Sequence, residues 1–230
     1  MSELRITDYT VASDKLTRSL TFAVVADLHN GPFDAALPHL QGVDGILIVG
    51  DLVNRHRPGY QHAVDFLRQA PDIAPVFYSI GNHEWKFPQR AAYWPHVLES
   101  QVTVLDNDFV PFEGLMLGGF SSAARPDPAF LADFAAQDGF RLLMCHHPEY
   151  YPRYVADFDI DLTVAGHAHG GQVQLRGRGL YAPGQGLLPR MTHGFYDGNR
   201  LLVSRGMTNS TWAPRISNPC EMIRLHLTKA

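Results

Sequence analysis

Short apolar runs recur along the chain, and five of them end directly at polar residues. Their shortness and their aliphatic and β-branched content predict buried strands. The predicted strands are TFAVVA ending at Ala26, GILIV ending at Val49, PVFYSI ending at Ile80, RLLMC ending at Cys145 and LTVA ending at Ala165. Strands with such continuous apolar character are typical of a sheet that is covered on both faces.

Stretches of helical period lie between several of these strands. Apolar residues recur there at spacings of three and four, which predicts helices with one apolar face. The predicted helices span 60–70, 89–100, 126–137 and 148–157. Alternation of strands with helices favours an α/β fold in which helices cover the sheet.

The last third of the chain looks richer in strands. Residues 114–120 predict a further strand, and residues 195–227 predict strand pairs with a hairpin turn at Asp197-Gly198. The Gly/Pro-rich stretch 176–190 predicts a long irregular loop. No internal repeat or extended linker is visible, so we expect one α/β domain over residues 1–230.

Composition narrows the class of protein. Hydrophobic residues make up 45% of the 230 residues, which is typical of a globular chain with a sizeable core. The net charge is −4 and no Lys/Arg-rich run occurs, so nucleic acid is a poor candidate partner. No apolar signal-peptide core and no run of the ~20 residues needed to span a membrane is present. We therefore expect a cytoplasmic protein without a membrane segment, with its two cysteines reduced.

Potential metal ligands follow each of the five predicted strands. They are Asp27-Leu28-His29, Gly50-Asp51, Gly81-Asn82-His83-Glu84, His146-His147 and Gly166-His167-Ala168-His169. Because function in open α/β sheets lies beyond the carboxyl ends of the strands, these groups should converge at one rim. Imidazoles, carboxylates and an amide suit Mn, Fe, Zn, Co or Ni rather than copper(I) or an iron–sulfur cluster.

The number of these ligands points to two ions. Six or seven ligands exceed what one tetrahedral ion can use, whereas two ions that share a carboxylate would use them all. Two ions ~3.5–4 Å apart can clamp a phosphoryl group and hold a bridging hydroxide as the nucleophile. Hydrolysis of phosphate esters is the chemistry that this ligand set favours.

Five ordered motifs carry a family resemblance. D-x-H, G-D-x-x-N, G-N-H-E, a lone His after a strand and G-H-x-H occur in this order, and over residues 21–172 the chain resembles calcineurin-like metallophosphoesterases. The segments DLHNG, GDLVN and GHAHGGQ look most like the YkuE/YaeI-like phosphodiesterase branch. The resemblance implies a four-layer α/β/β/α sandwich with a dimetal site at the C-terminal ends of the strands.

The resemblance also implies roles for individual residues. Asp27, His29 and His169 would bind the first ion, Asn82, His146 and His167 would bind the second, and Asp51 would bridge them. His83 matches the position that faces the scissile ester as general acid or phosphate ligand. Two positions depart from the branch, since Asn54 stands where Asp is common and His147 where Asn is usual.

Several alternatives stay open. His193, Arg205 and Arg215 are candidates for substrate contact, and a surface or hairpin role explains them equally well. A small phosphodiester is the favoured substrate because of the branch, and a phosphomonoesterase or protein phosphatase is the rival within enzymes. A non-catalytic metal-binding scaffold is the rival outside them, and His83 beside a complete ligand set argues against it. The sequence leaves the physiological substrate and the oligomeric state open.

Overall fold

Two six-stranded sheets form the framework of the protein in a computed structural model that describes residues 4–122, 127–209 and 214–230. The strands are β1 (Leu4–Ser13), β2 (Leu20–Val25), β3 (Gly45–Val49), β4 (Val76–Ser79), β5 (Val102–Leu105), β6 (Asp108–Phe112), β7 (Leu115–Phe120), β8 (Phe140–Cys145), β9 (Leu162–Ala165), β10 (Gln174–Leu175), β11 (Arg178–Gly179), β12 (Tyr181–Ala182), β13 (Gly186–Leu187), β14 (Gly194–Tyr196), β15 (Leu201–Val203) and β16 (Cys220–Lys229). The α-helices are α1 (Gln61–Gln69), α2 (Asn82–Trp85), α3 (Arg90–Glu99) and α4 (Pro128–Ala135). Short 3-10 turns occupy Leu37–Leu40, Ala70–Asp72, Pro148–Tyr150 and His169–Gly171, and one π-helical turn occupies Tyr151–Val155.

Each sheet is parallel at its centre. The first has the order β1-β16-β2-β3-β4-β5 and the second has the order β14-β15-β9-β8-β7-β6. The antiparallel neighbours are β16 with β2, β14 with β15 and β6 with β7. The predicted α/β class is confirmed, and the predicted count of four layers stays a prediction. The five ligand-bearing strands divide between the sheets, with β2, β3 and β4 in the first and β8 and β9 in the second.

Both sheets are buried on both faces. Along β3, Ile46 and Ile48 pack into an apolar cluster that includes α1, while Leu47 and Val49 on the opposite face pack into a second cluster with Leu142 of β8. Successive side chains of a strand point to opposite faces, so every position of a doubly covered strand must be apolar. This explains why the sequence shows continuous apolar runs.

The helix predictions hold for three segments and are wrong for one. Helices α1, α3 and α4 lie within the predicted ranges, although the predicted start at residue 126 lies outside the described residues. The predicted helix 148–157 is instead a 3-10 turn followed by a π-helical turn. Pro152 explains the difference, because proline lacks an N–H and its ring clashes with the preceding helical turn.

The C-terminal third corrects two further predictions. The hairpin at Asp197-Gly198 is present between β14 and β15, but β16 pairs with β1 and β2 in the other sheet rather than with β15. The predicted irregular loop 176–190 holds short strands, since β10 pairs with β11 and β12 pairs with β13. Within the described ranges, every helix is too short or too polar to span a bilayer. The expectation of one domain over 1–230 stays a prediction.

Candidate metal centre

The predicted ligands come together where strands of the two facing sheets end. Asp27 and His29 follow β2, Asp51 follows β3, and Asn82 begins α2 directly after β4. From the other sheet, His146 follows β8, and His167 and His169 follow β9. All seven side chains are buried. The predicted ligands therefore converge where strands end, and both sheets contribute to the site.

Unusual backbone conformations hold many of these ligands. Five of the seven have φ in the left-handed region, namely Asp27 (56°), His29 (50°), Asp51 (58°), His167 (64°) and His169 (47°). Such a conformation costs a non-glycine residue about 1–3 kcal/mol and is concentrated at functional sites. Backbone hydrogen bonds between the loop after β2 and the loop after β3 hold this conformation. Asp27 N donates to Gly50 O at 3.1 Å, and His29 N donates to Asp51 O at 2.9 Å.

The first ligand group consists of Asp27, His29 and His169. Asp27 Oδ1 lies 3.6 Å from the Nε2 atoms of both histidines, which are 3.2 Å from each other. His29 Nδ1 lies 3.3 Å from the carbonyl oxygen of Val53, and this contact orients the ring with Nε2 towards the group. Three donor atoms at this spacing can contact one ion.

The second ligand group consists of Asp51, His146 and His167. His146 Nδ1 donates to Val49 O at 2.8 Å, so Nε2 points towards Asp51 Oδ2, which lies 3.1 Å away. The other carboxylate oxygen of Asp51, Oδ1, accepts a hydrogen bond from the backbone N–H of His83 at 2.8 Å. Asp51 Oδ2 also lies 3.9 Å from His29 Nε2, which places this carboxylate between the two groups.

Unsatisfied polar atoms show that these residues fit metal ions. Four buried atoms of the predicted ligands have no hydrogen-bond partner: Asp27 Oδ1, Asp51 Oδ2, Asn82 Oδ1 and His146 Nε2. Leaving such a group unpaired costs about 1–3 kcal/mol, more if it is charged. Cations between the groups would satisfy all four, and the nitrogen and oxygen donors suit transition metals. Which ion each residue binds stays a prediction.

Burial and neighbouring charges set the protonation states of the predicted ligands. Burial alone would raise the pKa of Asp51, but the neighbouring His146 and His83 hold that pKa well below its usual range. Burial lowers the pKa of His169 to about 4, so this ring is neutral near pH 7. Burial also opposes protonation of His146, yet the charge of Asp51 raises its pKa to about 10. A metal ion would therefore displace a proton from His146 when it binds.

His83 lies beside both groups with one nitrogen already engaged. Its Nδ1 accepts the N–H of Arg55 at 3.1 Å, so in the neutral ring the proton is on Nε2. That Nε2 is 3.8 Å from Asp51 Oδ2, and the ring centroid is 4.5 Å from that of His29. His83 therefore presents a hydrogen-bond donor towards the metal groups.

Glu84 supports the site from behind, a role that the sequence reasoning did not give it. This fully buried carboxylate accepts four backbone N–H groups. Oε2 accepts from Gly81 at 2.9 Å and Asp51 at 3.0 Å, and Oε1 accepts from Leu52 at 2.6 Å and Val53 at 3.3 Å. Its place in G-N-H-E was the available signal. Glu84 fixes the loop on which Asp51 depends.

Gly206 and Thr208 support Asp27 from the end of β15, and the sequence reasoning missed both. Gly206 has a φ of 77°, and a Cβ there would lie 2.7 Å from the Cβ of Asp27. Thr208 Oγ1 donates to the carbonyl oxygens of Asp27 at 3.2 Å and Leu28 at 2.8 Å. The segment LLVSRG was the only signal for this support, and it identified no role.

The three candidate substrate contacts occupy different surroundings. Arg215 Nη2 lies 3.1 Å from His169 Nδ1 and donates to Thr208 O at 2.6 Å. Arg205 forms a 3.0 Å ion pair with the fully buried Glu221, and His193 lines a separate cavity with Arg178 and Arg190. Arg215 is thus the candidate that touches a predicted ligand. Substrate contact stays a prediction for all three.

A cavity of about 790 Å³ opens beside the first ligand group. His29, Asn54 and Arg57 line it together with apolar residues such as Leu4 and Met207. Asn54, one of the two departures from the branch, is buried here and accepts the N–H of His56 at 2.9 Å. The other departure, His147, has its Nδ1 3.1 Å from Glu149 Oε1, next to His167.

Sequence comparison finds relatives of this chain among known proteins. An uncharacterized metallophosphoesterase of Campylobacter jejuni is 25% identical over 232 residues, which cover 92% of this chain and 60% of that protein. The uncharacterized protein YpbG of Bacillus subtilis is 26% identical over 180 residues, which cover 72% of this chain and 67% of that protein. An uncharacterized metallophosphoesterase of Helicobacter pylori is 25% identical over 184 residues, which cover 74% of this chain and 50% of that protein. The chain therefore spans about half to two thirds of the length of these relatives.

The chain was also compared with a solved structure and with a protein-family model. The crystal structure of a metallophosphoesterase from Sphaerobacter thermophilus has a TM-score of 0.37 and 18% identity, and the match covers 66% of this chain and 61% of that one. The YkuE/YaeI-like branch stays a prediction. The calcineurin-like phosphoesterase family model matches residues 20–171, which is more than half of the chain and contains all seven predicted ligands. The chain belongs to the calcineurin-like phosphoesterase family.

Proposed function

We propose that this protein hydrolyses phosphate esters with two bound metal ions and prefers phosphodiesters. The observation that carries the proposal is the pair of buried ligand groups that meet at Asp51, in which the carboxylate oxygens Asp27 Oδ1 and Asp51 Oδ2 have no hydrogen-bond partner. When bound, the ions supply Lewis acidity towards the phosphoryl oxygens and the attacking water. The preference for diesters rests on the resemblance of three segments to one branch of the family.

The proposal assigns seven residues as metal ligands and His83 as the donor of a proton or a hydrogen bond to the substrate. In this proposal Asp27, His29 and His169 would hold one ion, Asn82, His146 and His167 would hold the other, and Asp51 would serve both. His83 contacts the ester instead, because its Nε2 carries a proton and faces the groups. As an imidazolium it would give this proton to the leaving oxygen and become neutral, and as the neutral ring it would donate a hydrogen bond to a phosphoryl oxygen.

Replacement of His83 by alanine tests the proposal. We expect His83→Ala to keep its metal content while kcat/KM falls by about 10²–10⁴-fold. If His83 protonates the leaving group, an alkyl diester should lose more than a nitrophenyl diester, since nitrophenolate leaves readily without a proton. Equal losses on both substrates would assign His83 to the phosphoryl oxygens, and no loss on either would remove it from catalysis.

Metal analysis and a substrate panel test the remainder. Protein prepared without chelator should contain close to two ions per chain, of Mn, Fe, Zn, Co or Ni, because the ligands exceed the need of one ion. Hydrolysis of bis-ester but not mono-ester chromogenic substrates would support the diester preference, and the reverse would indicate a phosphomonoesterase or protein phosphatase. A metal-loaded protein without activity on either class would indicate a non-catalytic scaffold.

A further inference from the structure

Large apolar side chains are exposed together on residues 174–190, which we call the β10–β13 lobe. Leu175 is 65% exposed, Tyr181 52%, Leu187 81% and Leu188 75%. In the described part of the chain, the other large exposed apolar residues are Leu98 and Ile216. Ile216 borders the lobe, because its carbonyl oxygen accepts the N–H of Gln174 at 2.9 Å. Exposed apolar surface is thus concentrated at one place, which marks a contact surface.

Strand pairing brings some of these side chains next to each other. Leu175 is paired with Arg178, and Tyr181 is paired with Leu187, each across an antiparallel pair. Side chains directly opposite each other in such a pair lie on the same face. Leu188 N donates to Leu180 O at 2.9 Å, and Leu188 lines a cavity of about 500 Å³ with Arg178 and Arg190. Leucine side chains and arginine guanidinium groups are therefore neighbours within the lobe.

The lobe is positively charged although the chain carries a net charge of −4. Arg176, Arg178 and Arg190 are exposed, and no Asp or Glu occurs between Asp161 and Asp197. The arginine–carboxylate ion pairs of the described residues use Arg18, Arg68, Arg141, Arg200 and Arg205. The three arginines of the lobe are therefore available to an anionic partner.

We propose that the β10–β13 lobe docks on an anionic membrane surface. Leucine and tyrosine side chains would enter the interfacial layer, and the arginines would meet lipid phosphates, as in other surface-bound proteins. A nucleic acid would satisfy the arginines but leave the leucines in water. A symmetric contact with a second copy would bring two sets of arginines together without an acid from the lobe, which like-charge repulsion disfavours.

The lobe is attached firmly to the metal centre. Gly179 of β11 packs against Gly171, in the turn that begins with His169, and Gly184 between β12 and β13 packs against the carboxylate of Glu149. A membrane under the lobe would lie close to the loops that carry His167 and His169. Docking does not depend on catalysis, so a failure of one proposal leaves the other intact.

Vesicle sedimentation tests the charge in this proposal. We expect wild-type protein to bind vesicles of phosphatidylcholine mixed with phosphatidylglycerol, to bind pure phosphatidylcholine vesicles far less, and to dissociate at high salt. Each arginine near an anionic surface raises the membrane partition coefficient roughly fivefold. Arg178→Ala combined with Arg190→Ala should therefore reduce vesicle binding roughly 25-fold. Absence of binding to the anionic vesicles, or equal binding to both compositions, would overturn the proposal.

A matched pair of variants tests the apolar contribution. Leu187→Ser combined with Leu188→Ser should weaken vesicle binding by about tenfold or more. Leu98→Ser, which changes an equally exposed leucine on α3, should bind like wild type. Circular dichroism and thermal unfolding should show that all variants are folded. Equal binding by the lobe variant and the Leu98 variant would refute docking through the lobe. Self-association of the wild type, detected by light scattering and abolished in the lobe variant, would also refute the proposal if neither the wild type nor the variant bound vesicles. The partner of the lobe would then be a second copy of the chain.

Discussion

Replacing Glu84 by glutamine tests whether a buried carboxylate holds the metal centre in place. Each carboxylate oxygen of Glu84 accepts two backbone N–H groups. In Glu84→Gln an amide NH₂ would face one of these pairs, so two hydrogen bonds to a charged acceptor would be lost. Such bonds are worth ~1.5–3 kcal/mol each, which gives a loss of about 3–6 kcal/mol in the free energy of unfolding. The melting temperature should fall by at least ~6 °C.

The same variant should bind metal less tightly. Asp51 takes its position from the loop that Glu84 fixes, and replacing a group that orients a ligand typically weakens metal affinity by about 10–100-fold. Thermal unfolding with and without added metal, together with titration of the apoprotein, would measure both effects. Glu221→Gln is the matched control, because Glu221 is equally buried but bonds Arg205 and Thr7 instead. It should lose stability and keep its metal affinity. Wild-type stability and affinity in Glu84→Gln would refute the reasoning.

Three other substitutions examine separate parts of the site. Asp51→Asn removes the charge between the two ligand groups, so metal analysis should show both ions weakened and turnover should vanish in a folded protein; retained ions and turnover would exclude the bridging role. Gly206→Ala adds ~1–2 kcal/mol of backbone strain and a clash with Asp27, so we expect a weakened first ion, and an unchanged metal titration would contradict this contact. Cys145→Ser should cost ~1–3 kcal/mol of stability and leave kcat/KM nearly unchanged, because burial raises the pKa of the thiol and keeps it protonated. Abolished turnover of folded, metal-loaded Cys145→Ser protein would instead indicate a nucleophile.

The sequence predicted the strands that bear ligands because their burial leaves a local trace. Most positions of β3 and β8 are apolar because both faces of these strands are covered. The predicted ligands follow shortly after each strand. By contrast, β1 alternates between half-buried and exposed positions, and this period-two pattern is a weaker local signal than an apolar run. Its position depends on β16, its parallel neighbour, from the far end of the chain.

The supporting residues of the site were invisible for a related reason. Gly206 matters only because Asp27 lies against it, and Glu84 matters because four N–H groups point at it. Apart from the N–H of Gly81, these contacts join segments that are distant in sequence, so only the place of Glu84 in G-N-H-E gave a local signal. The same holds for the lobe, where exposed leucines inside a Gly/Pro-rich stretch resemble an ordinary loop until strand pairing places them together.

The division of the ligands between two sheets has a consequence for the life of the protein. His29 and His169 are 140 residues apart, so neither ligand group exists until distant parts of the chain have closed on each other. A complete ligand group would therefore be available to ions only after the two sheets have come together. Once bound, they join the two sheets and must leave before the sheets separate, which slows unfolding. Metal supply would thus govern how long a folded molecule persists after synthesis, whereas the apolar contacts bring the two sheets together.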